Sequence, residues 1–115
     1  MTSDCLFCRI VAGEVPSTPV YQDDDIYAFR DINPAAPTHV LVIPREHLSG
    51  ISAADNDHQA LLGKLMIGAR HIAKELGLEE NGYRLVINNG EQGGQTVYHL
   101  HLHILGGRAM TWPPG

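Results

Sequence analysis

His99-Leu100-His101-Leu102-His103-Ile104-Leu105 is the stretch from which the rest of the chain can be read. Successive side chains on a strand point to opposite faces, so this alternation puts His99, His101 and His103 on one face. Leu100, Leu102 and Ile104 then share the other face and offer apolar surface to a covering element. Three imidazoles in line are a costly choice for a merely solvated face, which leaves two chemistries. His-x-His on a strand is a spacing that binds zinc. In the other chemistry one histidine is a nucleophile, and its neighbours orient it and handle charge. Same-face neighbours lie about 6–7 Å apart along a strand, so one ion reaches two of them more easily than three. The spacing leans towards the nucleophile without deciding.

Working back from this strand, the clearest helix is predicted from about Asp55 to Leu76. Leu61, Leu62, Leu65, Met66, Ala69, Ile72, Ala73 and Leu76 recur at three- and four-residue steps and make one apolar stripe, read as core. Ser52-Ala53-Ala54-Asp55 resembles a capping box with Asp in place of Glu, and Gly77 suits the left-handed position past the end. A short helix is predicted over residues 6–12, stopped by Gly13. Further strands are predicted at Val20–Tyr21, Ile26–Asp31, His39–Ile43 and Tyr83–Asn88, with the histidine strand running over Val97–Leu105. Asp23-Asp24-Asp25, Asn33-Pro34 and Pro37 supply the turns, and the prolines of the tail Met110–Gly115 keep it out of a sheet interior. The glycine-rich stretch Gly90–Gly94 lets backbone come close to a ligand, as a loop beside a phosphate would. Five strands and one long helix in this order point to an α+β domain, an antiparallel sheet covered by the helix.

Composition narrows the function. The chain has 115 residues, 43% hydrophobic and 18% charged, which suits one globular domain, 1–115. Its net charge of −5 argues against a general nucleic-acid binder, which needs a cationic face. No apolar run approaches the roughly 20 residues that span a bilayer, and the start does not read as a secretory signal, so a cytoplasmic location is expected. A domain this small gains from extra stabilisation, by self-association or by a metal. Cys5 and Cys8 form a C-x-x-C pair, for which metal ligation or plain burial is more apt than a disulfide in a reducing compartment.

The motifs together resemble one family. HLHLHIL matches the His-x-His-x-His pattern of the histidine triad (HIT) superfamily, and the likeness extends over nearly the whole chain. It takes in FCRIVAGEVP, AFRDINPAAPTH, THVLVIPREH, VINNG, GGQTVYHLHLHILGGR and the terminal MTWPPG. The ending is characteristic of the Hint branch, whose members hydrolyse purine nucleoside phosphoramidates. The resemblance implies the HIT fold, with a five-stranded antiparallel sheet, one long helix and a short N-terminal helix. It also implies a homodimer with a continuous ten-stranded sheet, in which the tail 106–115 reaches the partner's active site and Trp112 lies across the dimer.

Roles follow from the resemblance residue by residue. His101 would attack the α-phosphate, held by the backbone carbonyl of His99. His103 would contact phosphoryl oxygens or the leaving group, and His39 would support the cluster from the neighbouring strand. Thr96 stands where the family usually has a serine that helps protonate the leaving amine. It keeps the hydroxyl and adds a methyl. Asp31 would accept the ribose hydroxyls, with Phe7, Ile10, Phe29, Ile32 and Val97 around the nucleoside. Asn88, Gly94 and Thr96 would face the phosphate or leaving group. No cofactor is implied for catalysis. Related bacterial members pair a C-x-x-C with two histidines around zinc, which implies one structural Zn²⁺ held by Cys5, Cys8, His47 and His99. Two other functions stay open at this point: a dinucleoside polyphosphate hydrolase, and a non-catalytic nucleotide- or zinc-binding regulatory module.

Overall fold

The computed structural model describes residues 4–115. The elements in chain order are α1 (Leu6–Val11), β1 (Pro19–Gln22), β2 (Ile26–Arg30), β3 (Thr38–Pro44), α2 (Gln59–Glu75), β4 (Tyr83–Ile87) and β5 (Leu102–Gly106). The five strands form one antiparallel sheet in the order β1-β2-β3-β5-β4. The fold is therefore α+β, as the sequence led us to expect.

The sheet has two unlike faces, set by the period-2 alternation of its central strands. On one, Ala28, Val40, Val42, Leu102 and Ile104 pack against Leu65, Ala69, Ile72 and Ala73 of α2, with Leu100 in the same cluster. Burying a leucine of this row stabilises by about 1.5–3 kcal/mol. On the other, Tyr27, Phe29, Leu41 and Ile43 pack against Phe7 and Ile10 of α1. The register aligns Phe29 with Leu41, Leu41 with His103, and His103 with Val86, so one row of that second face carries a histidine.

Three sequence expectations need correction. First, the last strand begins at Leu102 rather than Val97. Continuing the β3–β5 register from Val42 and Leu102 would set Pro44 opposite Leu100. Proline has no N–H to give a ladder, so the pairing stops there. Leu100 instead donates its N–H to the Leu48 carbonyl at 2.6 Å. Second, Ser52 does not cap the long helix. Asp55 does: its carboxylate accepts from the Asp57 N–H at 2.8 Å, and its own N–H donates to His58 Nδ1 at 3.0 Å. The 3₁₀ turn Asn56–His58 follows, and α2 proper starts at Gln59. Third, Met66 is 46% exposed and lies off the core stripe. The helix ends as read, with Gly77 at φ +76°, a conformation that side chains with a Cβ rarely adopt.

Candidate active site

Although His99 and His101 precede the paired strand, the alternation continues through them. His99 and His101 are buried, and Phe7 stacks edge-on against both, with ring centroids 6.0 and 5.2 Å away. His101 and His103 follow at 5.0 Å. They border a cleft of about 280 Å³ whose apolar side is Leu6, Phe7, Ile10, Phe29, Leu41 and Val97 and whose polar side includes Asp31, Thr96, His101 and His103. Ile32 sits on its rim, 90% exposed.

Protons on the ring nitrogens follow from their partners. The carbonyl oxygen of His99 accepts from His101 Nδ1 at 2.7 Å. A carbonyl can only accept, so Nδ1 carries the proton and the neutral ring presents an unprotonated Nε2. That is the form in which imidazole is a nucleophile.

A second chain of bonds fixes His103. The Ala35 N–H donates to His39 Nδ1 at 3.0 Å, so the neutral His39 ring carries its proton on Nε2. His39 Nε2 lies 2.9 Å from His103 Nδ1 and 3.5 Å from Asp31 Oδ2. It donates to His103, whose Nε2 must then hold a proton. That Nε2 is buried and meets no hydrogen-bond partner among the described residues. A buried donor left unmade is unfavourable by about 1–3 kcal/mol, so this N–H is suited to an acceptor brought by a ligand. Burial pulls His103 down to about 4. Positive charge on His101 or His39 acts the same way, and Asp31 opposes it. Burial also lowers His39, again against the pull of Asp31. Both rings are therefore neutral at physiological pH.

His99 turns its side chain the other way. Its Nε2 donates to the Pro44 carbonyl at 2.8 Å, which leaves Nδ1 with a lone pair. Burial lowers its pKa, the Pro44 bond opposes this, and His47 and His101 add to the lowering. Nδ1 lies 3.2 Å from His47 Nδ1, 3.3 Å from Cys5 Sγ and 3.5 Å from Cys8 Sγ, while Cys8 Sγ lies 3.3 Å from His47 Nδ1. Zinc at about 2.3 Å from sulfur and about 2.0–2.1 Å from nitrogen has tetrahedral edges of about 3.3 Å (N···N) and about 3.5 Å (N···S). The four residues thus fit a closed zinc site, and their ligand atoms all lie within 4.8 Å of one another. Such a site would tie α1, through Cys5 and Cys8, to the sheet and to His99.

Of the residues read from sequence, Asn88 and Gly94 do not line the cleft. Asn88 is half-buried just past β4, and Gly94 sits in an exposed turn. Trp112 is 80% exposed in the tail, whose Thr111 carbonyl accepts from Arg84. Leu41, Leu6 and Arg30 line the cleft and were missed. Leu41 was recoverable as a residue of β3 on the histidine-bearing face.

Comparison with known proteins agrees with this geometry. The profile of the HIT domain family matches residues 12–110. A 14 kDa zinc-binding protein of Zea mays is 52% identical over 98% of this chain and 89% of its own length. The Arabidopsis thaliana protein named adenylylsulfatase HINT1 is 50% identical over 98% of this chain and 78% of its own. A crystal structure of a HIT family hydrolase from Legionella pneumophila superposes with a TM-score of 0.96 at 54% identity, covering 97% of this chain and all of that one.

Proposed function

We propose, from the premise that this chain belongs to the HIT family, that it hydrolyses the P–N bond of purine nucleoside 5′-phosphoramidates through a nucleotidyl intermediate on His101. The observation that carries the reading is the 2.7 Å bond from His101 Nδ1 to the His99 carbonyl, which presents Nε2 as a lone pair beside the unpartnered N–H of His103.

In the first step His101 Nε2 attacks the α-phosphorus, a P–N(His) bond forms, and the P–N bond to the leaving amine breaks. The amine leaves with a proton, for which the Thr96 hydroxyl is the donor or relay. In the second step water attacks phosphorus and breaks the P–N(His) bond, its proton replacing the one given to the amine through Thr96, so that nucleoside monophosphate is released and both neutral His101 and the Thr96 hydroxyl are regenerated. Splitting the displacement in two lowers each barrier. The developing charge falls on the non-bridging oxygens, where the His103 Nε2–H is pre-aimed by His39 and Ala35. Asp31 accepts the ribose hydroxyls, and Phe7, Ile10 and Phe29 hold the base, with Ile32 and Val97 at its edges. Zinc on Cys5, Cys8, His47 and His99 would be structural, and no step runs through it. A second copy of the chain, receiving Trp112 and the tail 106–115, belongs to the same reading.

The Arabidopsis relative's name adds an adenylyl sulfate, in which sulfate takes the place of the amine in the same first step. A substrate panel decides between leaving groups: nucleoside phosphoramidates, adenylyl sulfate and dinucleoside polyphosphates, with wild type and His101→Ala. Phosphoramidates should turn over fastest. His101→Ala should lose at least 100-fold in kcat while nucleoside monophosphate still binds, because the cleft and Asp31 are untouched. Retention of more than a few per cent of turnover in that variant removes His101 as the nucleophile. Preferred cleavage of a polyphosphate removes the P–N reading.

A further inference from the structure

The chain between β4 and β5 has no ladder of its own, yet it carries Thr96 and Val97 to the site. It is held instead by the segment that follows β3. His99 Nε2 bonds the Pro44 carbonyl, Leu100 N the Leu48 carbonyl, and Ser52 N donates to Asn89 Oδ1 at 3.0 Å. The most heavily used group in this seam is Gln95, which is 6% exposed. Its Nε2 donates to the Ser49 carbonyl at 2.7 Å and to the Val97 carbonyl at 3.0 Å, and its Oε1 accepts from the Gly90 N–H at 2.9 Å. Both amide protons and the oxygen are spent. The side chain closes the Gly90–Gln95 turn and ties it to a neighbouring segment. Space for this is kept by Gly50: a Cβ there would fall 2.7 Å from Asn89 Oδ1 and 3.1 Å from Gln95 Oε1.

The next residue is the exposed Thr96. Thr96, Val97 and Leu6 line both the nucleoside cleft and an adjoining open groove of about 800 Å³, whose other walls are Asp4, Tyr98 and the ligand cluster residues Cys5, Cys8 and His47. On the P–N reading, Thr96 thus borders both the nucleoside cleft and the open space available to a leaving group. We propose that Gln95 is a positioning residue that sets the Thr96 hydroxyl against the leaving group, through its paired bonds to Ser49 and Val97. This rests on the P–N reading above and adds a specificity device to it. Apart from Val97, the base and ribose contacts come from α1, β2 and the residues just past β2, none of which is among the hydrogen-bond partners of Gln95, so its loss should act on departure of the leaving group far more than on nucleotide binding.

Leaving-group chemistry makes this separable from a merely structural role. An alkylamine cannot depart as an anion, so it needs a proton delivered as the P–N bond breaks. A phenolate or sulfate departs without one. Gln95→Glu keeps the shape but sets a carboxylate oxygen against two carbonyls. Gly50→Ala disturbs the same bonds from the other side. Both variants should lose about 100-fold in kcat for alkylamine phosphoramidates, the scale on which small misplacements act. Loss for an aryl ester of the same nucleotide should stay within about 5-fold, and the Kd for nucleoside monophosphate within about 2-fold.

Equal losses with amine and aryl leaving groups, or a Kd that rises in step with kcat loss, overturn the proposal. If wild type cleaves no alkylamine substrate, the P–N reading fails on its own, and amide hydrogen exchange then decides for Gln95. With nucleoside monophosphate bound, residues 94–97 should exchange at least about 10-fold faster in Gln95→Glu, with β2 and α1 unchanged. Unaltered exchange at 94–97, or exchange raised equally in β2, overturns it.

Discussion

Two clusters of potential metal ligands flank His101: Cys5, Cys8, His47 and His99 on one side, and Asp31, His39 and His103 on the other. Residue types alone would make both of them metal sites. Their protons separate them. In the first, the bond from His99 Nε2 to Pro44 turns the ring's lone pair towards the two sulfurs and the other imidazole. In the second, His39 Nδ1 is already used by the Ala35 amide and its Nε2 proton by His103, so the bonds run in series and end in a donor. An ion there would have to break the relay that the donor depends on. The lesson is that a ligand cluster is recognised by where its lone pairs point once every other hydrogen bond has been assigned.

The sharpest way to break this contrast is to reverse the relay. His103→Gln keeps an acceptor for His39 and a donor for the cleft, whereas His103→Leu keeps neither. We expect His103→Leu to lose about 100-fold or more in kcat, the range measured for removal of one transition-state donor, and His103→Gln to lose markedly less. Equal loss in the two variants would mean that the ring acts by shape and not by donation. Steady-state kinetics with one phosphoramidate suffice to tell.

The metal side should respond in stability, with little change in turnover. Elemental analysis of chelator-free protein should find about one zinc per chain, absent in Cys5→Ser/Cys8→Ser. Removing a ligand held at about 1,000 times its Kd forfeits about 4 kcal/mol. At about 4 °C per kcal/mol this is on the order of 15 °C in Tm. Turnover should change only a few-fold, since the His99 carbonyl that holds His101 stays in place. An equal Tm with and without the thiols would leave the two cysteines as packing residues alone.

How much of this was legible beforehand differs between the clusters in the same way. The period-2 run from His99 to Leu105 announced its two faces, and Leu100, Leu102 and Ile104 do pack under α2. The stripe on α2 was legible for the same reason, apart from Met66. What the sequence could not show is where pairing stops, because that depends on which residue of another strand meets Leu100, and Pro44 is that residue only in the folded register. Cys5 and Cys8 stood out as a pair, but their partners His47 and His99 came from family likeness, since contacts across 39 and 94 positions leave no local pattern. Gln95 was passed over entirely. One amide among several in and beside a glycine-rich loop has no periodicity to mark it, and only its three bonds do.

Acid should erode both clusters, and for different reasons, which gives the finest test of the contrast. The metal site loses its ion as protons compete for thiolate and imidazole. The relay has no ion to lose. His103 titrates near 4 in the folded chain, below the ordinary histidine value of about 6.5 that it regains on unfolding. Between these values the unfolded chain binds more protons, so stability falls as pH drops from about 6.5 through about 4, and above about 7 this group contributes no slope. His39 is shifted in the same direction and adds to it. Thermal melts across pH 7.5 to 4.5 should show the steepest fall for zinc-loaded wild type. A shallower fall should survive in Cys5→Ser/Cys8→Ser, and adding His103→Gln should flatten it further without moving the Tm at pH 7.5 by more than a few degrees. If the slope left after the thiols are removed is indifferent to His103→Gln, then burial of that neutral ring is not what makes the histidine side acid-sensitive.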